Sequence, residues 1–582
     1  MSSLKTLNPY FYKHRKLMVL GVIFIIFSNF FTIYPIKFFG KAVNIIAAAF
    51  QNDSLQKEQM NTLILYSSII IIMPIISGFL KFCMRQTLIV TSRKIEFELK
   101  NNIYRHYQTL SVSIFKKSKI GDLMNRISED VVNVRQYLGP GVMYTINLCV
   151  MLVMILIYML LSDPVMTLYA LVPLPVLSFC IYRLSTIVNK KTKIAQQKQS
   201  ALSSFVQDSF SGIRVIKSFV KEDYIVSLYM QKSDDYKTQS LSLAVTAAFF
   251  APLTLFVVGL SNIFILYIGG QRFIEGKIDV GTITDFFLYL NILIWPFTAV
   301  GWVTSINRRA EASMERINEF LDIEEEIINT NHEIYPVRGN IRFENVSYTY
   351  PNTGIQALKN LSFEIKAGET AVFMGKTGSG KSTVGLLLMR LIEPDEGTIY
   401  VDEKPLREHN LTLLREKTGF VPQENFLFSD TIFNNIVYGI EKPTQELMEK
   451  YAKNAEIHQN IMEFKDQYQT EIGERGVTLS GGQKQRISIA RALIKNPSIF
   501  LFDDSLSAVD TETEEKILKN ISSETAQKTA LIITHRISSS KNADKILVLE
   551  KGKIIEQGSF KELIGKRGVY FDLYNRQINE NL

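Results

Sequence analysis

Gly375, Lys376, Thr377, Gly378, Ser379, Gly380, Lys381 and Ser382 spell GxxxxGK[ST], a spacing that suits one task. Glycines let successive backbone N–H groups close around phosphate oxygens, the lysine reaches the outer phosphates, and the serine hydroxyl can ligate Mg²⁺. The context agrees: the apolar run 370–374 precedes the loop as a strand, and Thr383 opens a helix-like stretch behind it. Downstream, Ile499, Phe500, Leu501 and Phe502 form a second apolar strand ending in Asp503, the carboxylate placement with which a P-loop ATPase holds its Mg²⁺. Between the two lie Leu479, Ser480, Gly481, Gly482 and Gln483, ahead of the helix-forming stretch 484–494. Ser480 and the glycines would open a helix N-terminus to an anion such as a γ-phosphate. Taken alone, that string is also an ordinary helix cap.

Together these motifs resemble those of the ATP-binding cassette (ABC) transporters, with residues 479–483 as the signature. The resemblance covers essentially the whole chain and implies a half-transporter of the exporter type, with the type IV fold of multidrug and lipid exporters. It implies ATP and Mg²⁺ as cofactors, with the metal held by Ser382, Gln423 and Asp503. Tyr350 matches the aromatic that stacks on adenine, and Tyr348 competes for the role. Gln423, in Val-Pro-Gln-Glu, matches the loop glutamine that touches the metal and the attacking water. Lys381, Gln423, Asp504 and His535 form the implied catalytic set, His535 being the switch histidine at the γ-phosphate. Glu474 matches the exporter loop before the signature, and Asp510 the loop that crosses the dimer interface. Residues 113–123 and 205–212 resemble the parts of two cytoplasmic loops that dock on the ATPase domains.

One position departs from the pattern. After Asp503 the family usually carries a glutamate that polarises water, and here Asp504 stands instead. Aspartate keeps the charge on a shorter stem, so its carboxylate falls about 1 Å short of a base's reach. In the family the signature serves the nucleotide of the other subunit, so two halves must pair. An aspartate at this place beside a standard signature implies a heterodimer with one slow and one hydrolytic site, a homodimer being the alternative.

The elements that must position these residues divide into two chemistries. The 582 residues carry 47% hydrophobic and 21% charged side chains, which excludes disordered and fibrous classes. Mean hydropathy is +0.08, the average of a greasy half and a polar half. Six apolar stretches, at 17–38, 63–82, 142–161, 165–188, 243–268 and 282–303, are long enough to cross a hydrocarbon layer of about 30 Å. Pro252 and Pro296 interrupt the last two. The first stretch lacks a signal-peptide cleavage site. Lys5, Lys13, Arg15 and Lys16 place the N-terminus on the cytoplasmic side, and even span number returns the C-terminus there.

The expected fold is an all-α transmembrane domain with long cytoplasmic helical extensions (1–320), a linker (321–339), and an α/β nucleotide-binding domain with a helical subdomain (340–582). The expected location is a bacterial inner membrane. The net charge of +8 fits membrane flanks better than a nucleic-acid footprint. Cys83, Cys149 and Cys180 have neither zinc nor disulfide spacing. The function implied is ATP-driven export of hydrophobic or amphipathic cargo by alternating access. The spans are rich in aromatics, including Phe30, Phe249, Phe286, Trp295 and Trp302, with Asp285 as the carboxylate well inside them. A lipid flippase or peptide exporter working as a homodimer shares every ATPase motif, and a gated channel on the same cassette is a further alternative.

Overall fold

The computed structural model describes residues 3–51, 56–473, 479–506, 509–524 and 527–580. Two compact units emerge: one holds residues 1–106 and 123–323, the other 107–122 and 324–582. The division differs from three consecutive blocks, because residues 107–122, which lie in sequence between two parts of the helical unit, belong with the ATPase domain and its linker.

The first unit is helical. Among its described residues, five helical runs are long and apolar enough to cross a membrane. The helix Lys57–Thr109 is the longest, at 53 residues or about 80 Å, so it extends well past any bilayer. Ile71, Ile75, Phe79 and Phe82 on this helix are each more than half exposed, an apolar stripe suited to hydrocarbon rather than water. The stretch 165–188 runs through two helices, Pro164–Leu171 and Pro173–Ser211, separated at Val172. Asp163 caps the first of them, its Oδ1 accepting from Met166 N at 2.8 Å. The stretch 243–268 is likewise broken, at Phe249, and Pro252 sits in the first turn of the following helix Phe250–Ile274, where its missing N–H costs nothing. Pro296 lies inside the helix Val280–Leu321.

Ion pairs bind the extensions together. Glu96 is buried and meets Arg93, Lys100 and Arg135 at 3.1–3.3 Å, and Asp130 is paired with Arg316.

The second unit contains two sheets. The strands are β1 (Ile341–Thr349), β2 (Gln356–Ile365), β3 (Thr370–Met374), β4 (Glu396–Val401), β5 (Lys404–Pro405), β6 (Thr418–Val421), β7 (Ile499–Asp503), β8 (Thr529–Ile533), β9 (Lys545–Glu550) and β10 (Lys553–Gly558). An antiparallel sheet has the order β2-β1-β4-β5, and a six-stranded sheet β10-β9-β3-β8-β7-β6. In the latter, β9, β3, β8, β7 and β6 run parallel. Parallel strands buried on both faces read as unbroken apolar runs, and β7 and β8 are buried throughout. Alternation assigns the residues to two cores. Val372, Met374, Phe500, Phe502 and Ile532 pack on one face, while Ala371, Phe373, Ile499, Leu501 and Ile533 pack on the other. The loops after β3, β6, β7 and β8 therefore all open at the same, carboxyl edge of the sheet, where α/β folds bind ligands.

Candidate nucleotide site

The loop 375–380 turns directly out of β3 into the helix Lys381–Leu388. It needs glycine for conformation and for space. Gly378 and Gly380 have φ of +79° and +100°. A Cβ on Gly380 would stand 2.4 Å from the Ala357 carbonyl, whereas one on Gly378 would meet nothing within 4 Å. Gly378 thus faces open space, and its neighbour Ser379 has a buried Oγ with no hydrogen-bond partner among the described residues. A cradle with an unused donor and left-handed glycines fits a phosphate chain.

Lys381 Nζ donates to the carbonyls of Gly375 and Lys376 at 2.8 and 3.0 Å, which arches the side chain back over the loop. Burial pushes its pKa down, against the pull of Asp504 and Asp503. Ser382 Oγ donates to Asp503 Oδ1 at 2.9 Å, joining the first helical turn to the end of β7. Burial also raises the Asp503 pKa, with the Ser382 bond opposing it. Both groups are desolvated where a divalent cation would restore the charge balance, and a hydroxyl beside a carboxylate suits a hard metal.

Asp504 adopts φ +46°, a left-handed conformation that aspartate tolerates better than most residues. Its N–H donates to the Ile533 carbonyl on neighbouring β8 at 2.8 Å, and its Oδ1 lies 3.0 Å from His535 Nδ1. The two expected catalytic residues after β7 and β8 are therefore in contact. Tyr350 follows β1 and its hydroxyl lies 3.1 Å from Thr383 Oγ1, so it borders the same helix that carries Lys381 and Ser382. Tyr348 is buried, its ring edge-on to that of Tyr350 at 5.1 Å, and its hydroxyl pKa is pushed up to about 12 by burial. Partial exposure makes Tyr350 the better stacking platform of the two. Gln423 follows β6 and is exposed.

The signature stands apart. Ser480 caps the helix Gly481–Leu493 in a reciprocal box with Gln483, Ser480 Oγ accepting from Gln483 N and Gln483 Oε1 from Ser480 N. Among the described residues no hydrogen bond joins residues 479–483 to the phosphate loop. Asp510 Oδ1 accepts from Thr513 N at 2.9 Å at the start of the helix Thr511–Glu524, which lowers its pKa. Glu474 lies outside the described residues. The segment 113–123 overlaps the short helix Val112–Lys117, and 205–212 covers the end of the helix Pro173–Ser211, with Phe210 strongly exposed.

Two contacts escaped sequence reasoning. Gln577, on the C-terminal helix Val569–Glu580, donates from Nε2 to the His535 carbonyl at 2.6 Å. Gln485, two residues beyond the signature, donates to the Asp504 carbonyl at 3.1 Å. Only its proximity to the signature could have flagged Gln485, and nothing local marks Gln577.

Comparison with known proteins agrees with this geometry. The family model for the ABC transporter transmembrane region matches residues 18–297, and the ABC transporter model matches residues 358–507, which include the phosphate loop and the signature. The chain is 32% identical over 99% of its length to the probable multidrug resistance ABC transporter ATP-binding/permease protein YheI of Bacillus subtilis, covering 98% of that protein. It is 34% identical to the multidrug resistance-like ATP-binding protein MdlA of Escherichia coli, covering 90% of each chain. A third relative, an uncharacterised ABC transporter ATP-binding protein of Bacillus subtilis, YknU, is 37% identical over 84% of each chain. With membrane helices in one unit and a phosphate-loop ATPase site in the other, the chain belongs to the ABC transporters as an exporter-type half-transporter.

Proposed function

We propose that this integral membrane protein uses ATP to export hydrophobic or amphipathic molecules by alternating access, and that it does so paired with a second, different half-transporter. The observation that carries the reading is the bond from Ser382 to Asp503 beside Lys381, in a chain whose other unit is built of apolar helices. The names of the relatives YheI and MdlA, which refer to multidrug resistance, support the class of activity.

In this mechanism Ser379 and the loop N–H groups hold the phosphate chain, and Tyr350 supports the base. Lys381 leaves its loop carbonyls for the outer phosphates. Ser382, Asp503 and Gln423 would hold Mg²⁺, which when bound would supply charge neutralisation at the outer phosphates. Gln423 also turns toward the attacking water. Asp504 and His535 orient that water, and their mutual contact engages one Asp504 oxygen that a proficient base would offer to it. The Ser480 end of the signature helix completes the site of the partner. ATP binding would favour the joined, outward-opening state, and product release would reset it. The N- and C-termini lie on the cytoplasmic side of a bacterial inner membrane.

Sealed vesicles containing the paired halves test the reading. An exporter accumulates an amphipathic dye with ATP and not with a non-hydrolysable analogue. A channel would only dissipate a preformed gradient, which would refute export.

A further inference from the structure

Lys81 and Arg85 lie one turn apart on the helix Lys57–Thr109, and the packing of that helix fixes their depth. Gly21 abuts Leu88, and Thr32 Oγ1 meets Ser77 Oγ at 2.7 Å. Both contacts obey one antiparallel register, which places Lys81 level with Ser28. Ser28 lies 11 residues, or about 16 Å, along the first span from Leu17, while Lys81 is the last residue but one of the second apolar stretch 63–82, so the two cations lie in the half of the layer nearer Leu17, between its middle and its edge. At about 100° per residue, Lys81 shares the helix face of Ser77 and Leu88 and lies roughly 100° or more from the mean direction of the Ile71, Ile75, Phe79 and Phe82 stripe. Its ammonium accordingly bonds inward, to Thr32 Oγ1 at 3.1 Å.

Arg85 borders a recess of about 350 Å³ that it shares with Ile89, Pro140, Met143 and Tyr144. Pro140 belongs to a π-helical turn, Tyr137–Gly141, an irregularity that often marks functional sites. The Tyr144 ring packs against Trp295 at 5.6 Å and against Trp302 at 5.2 Å. Among the described residues, neither Lys81 nor Arg85 has a carboxylate within ion-pair distance. A cation held at such depth without a carboxylate is costly unless an anion visits it.

We infer that Lys81, Arg85 and the aromatic wall of Tyr144, Trp295 and Trp302 form a binding site for an amphiphile with an anionic head, the cations taking the head and the rings the apolar body. The inference rests on the export reading and narrows its cargo class. Cationic cargo would instead be drawn to Asp285, which is buried against Gly40.

Trp295 and Trp302 are the two tryptophans of the chain, so energy transfer to pyrene reads binding at this wall without reference to ATP turnover. The full chain in phosphatidylcholine nanodiscs is titrated with pyrenedecanoate, with a pyrenedecyl trimethylammonium of the same tail, and with pyrene-labelled phosphatidylglycerol. The carboxylate is expected to bind at least about tenfold tighter than the ammonium. Lys81→Gln combined with Arg85→Gln removes that preference, whereas Lys81→Arg and Arg85→Lys keep it and show that the fold survives. Phosphatidylglycerol binding in competition with pyrenedecanoate identifies a lipid source, and binding of the carboxylate alone identifies a free amphiphile; either supports the site. Equal or tighter binding of the ammonium, or a preference that survives neutralisation, overturns it. ATP-dependent accumulation of any probe in sealed vesicles is scored separately, so a failed charge preference is distinguishable from a failed export reading.

Discussion

On the function proposed above, Asp504 lets one methylene set the pace of its site. Its carboxylate reaches His535 at 3.0 Å from a left-handed backbone, so the shorter stem is directed to the histidine. Replacing it by glutamate restores the longer reach. In the paired transporter, Asp504→Glu is expected to raise turnover at this site by about 10- to 100-fold, the penalty associated with misplacing a catalytic group by about 1 Å. Single-turnover hydrolysis with the partner's site blocked measures it; an unchanged rate would remove Asp504 as the cause. Gln577 makes a second residue-scale case. Its amide holds the His535 carbonyl at 2.6 Å, a bond worth about 1 kcal/mol. Gln577→Ala should therefore lower turnover several-fold while leaving nucleotide affinity nearly intact, because no phosphate contact is touched; equilibrium binding of a labelled nucleotide beside steady-state hydrolysis separates the two. Lys381, Ser382 and Asp503 are legible in the sequence because phosphate chemistry dictates their spacing after apolar strands, whereas the role of His535 is implied only by the family resemblance. Gln577 is not legible: it lies 42 residues beyond His535, and only the packing of the last helix brings it near.

At the scale of elements, unbroken apolar runs identified the buried parallel strands, and the order β3-β8-β7-β6 then explains why residues far apart in sequence share one edge. The breaks at Val172 and Phe249 were harder to see, since hydropathy reports an apolar length and not a helix axis. The placement of 107–122 with the ATPase unit was legible only through the family resemblance of 113–123 and not from hydropathy, because two hydroxyls and a distant carboxylate contribute to it. Glu326, in the linker, accepts from Ser111 and from Ser113, the latter at 2.7 Å. Those bonds hold its pKa below the ordinary glutamate value, so the contact stabilises the pairing above that value and is lost as pH falls through the lowered one. Hydrogen exchange in 107–122, corrected for intrinsic rate, should show protection at pH 7 that fades below about pH 4. In Glu326→Gln the protection at pH 7 should drop by about 1 kcal/mol and lose its acid step, since the exposed carboxylate is partly screened. An acid step that persists in this variant would assign the pairing to other groups.

For the whole molecule, the decisive question is which nucleotide each motif serves. The phosphate loop, Asp503, Asp504 and His535 form one constellation, while Ser480 and Gln483 are closed on each other in a capping box. Among the described residues the signature makes no hydrogen bond to its own phosphate loop, which leaves it free to complete the site of another chain. If the partner carries the effective glutamate, this chain has two unequal roles: a slow site of its own and a signature acting on the fast one. Ser480→Arg, which places a long side chain at the helix N-terminus, should then abolish most steady-state hydrolysis by the pair. Asp504→Asn, which only neutralises a weak base, should leave most of it. A homodimer predicts a different result, because each variant would damage both sites and both would fall together. Steady-state ATPase measurements on the two variants, each with the same partner and with comparable assembly by size exclusion, decide between them. Equal losses would leave this chain with two equivalent sites, and Asp504 would then have to support hydrolysis from its contact with His535.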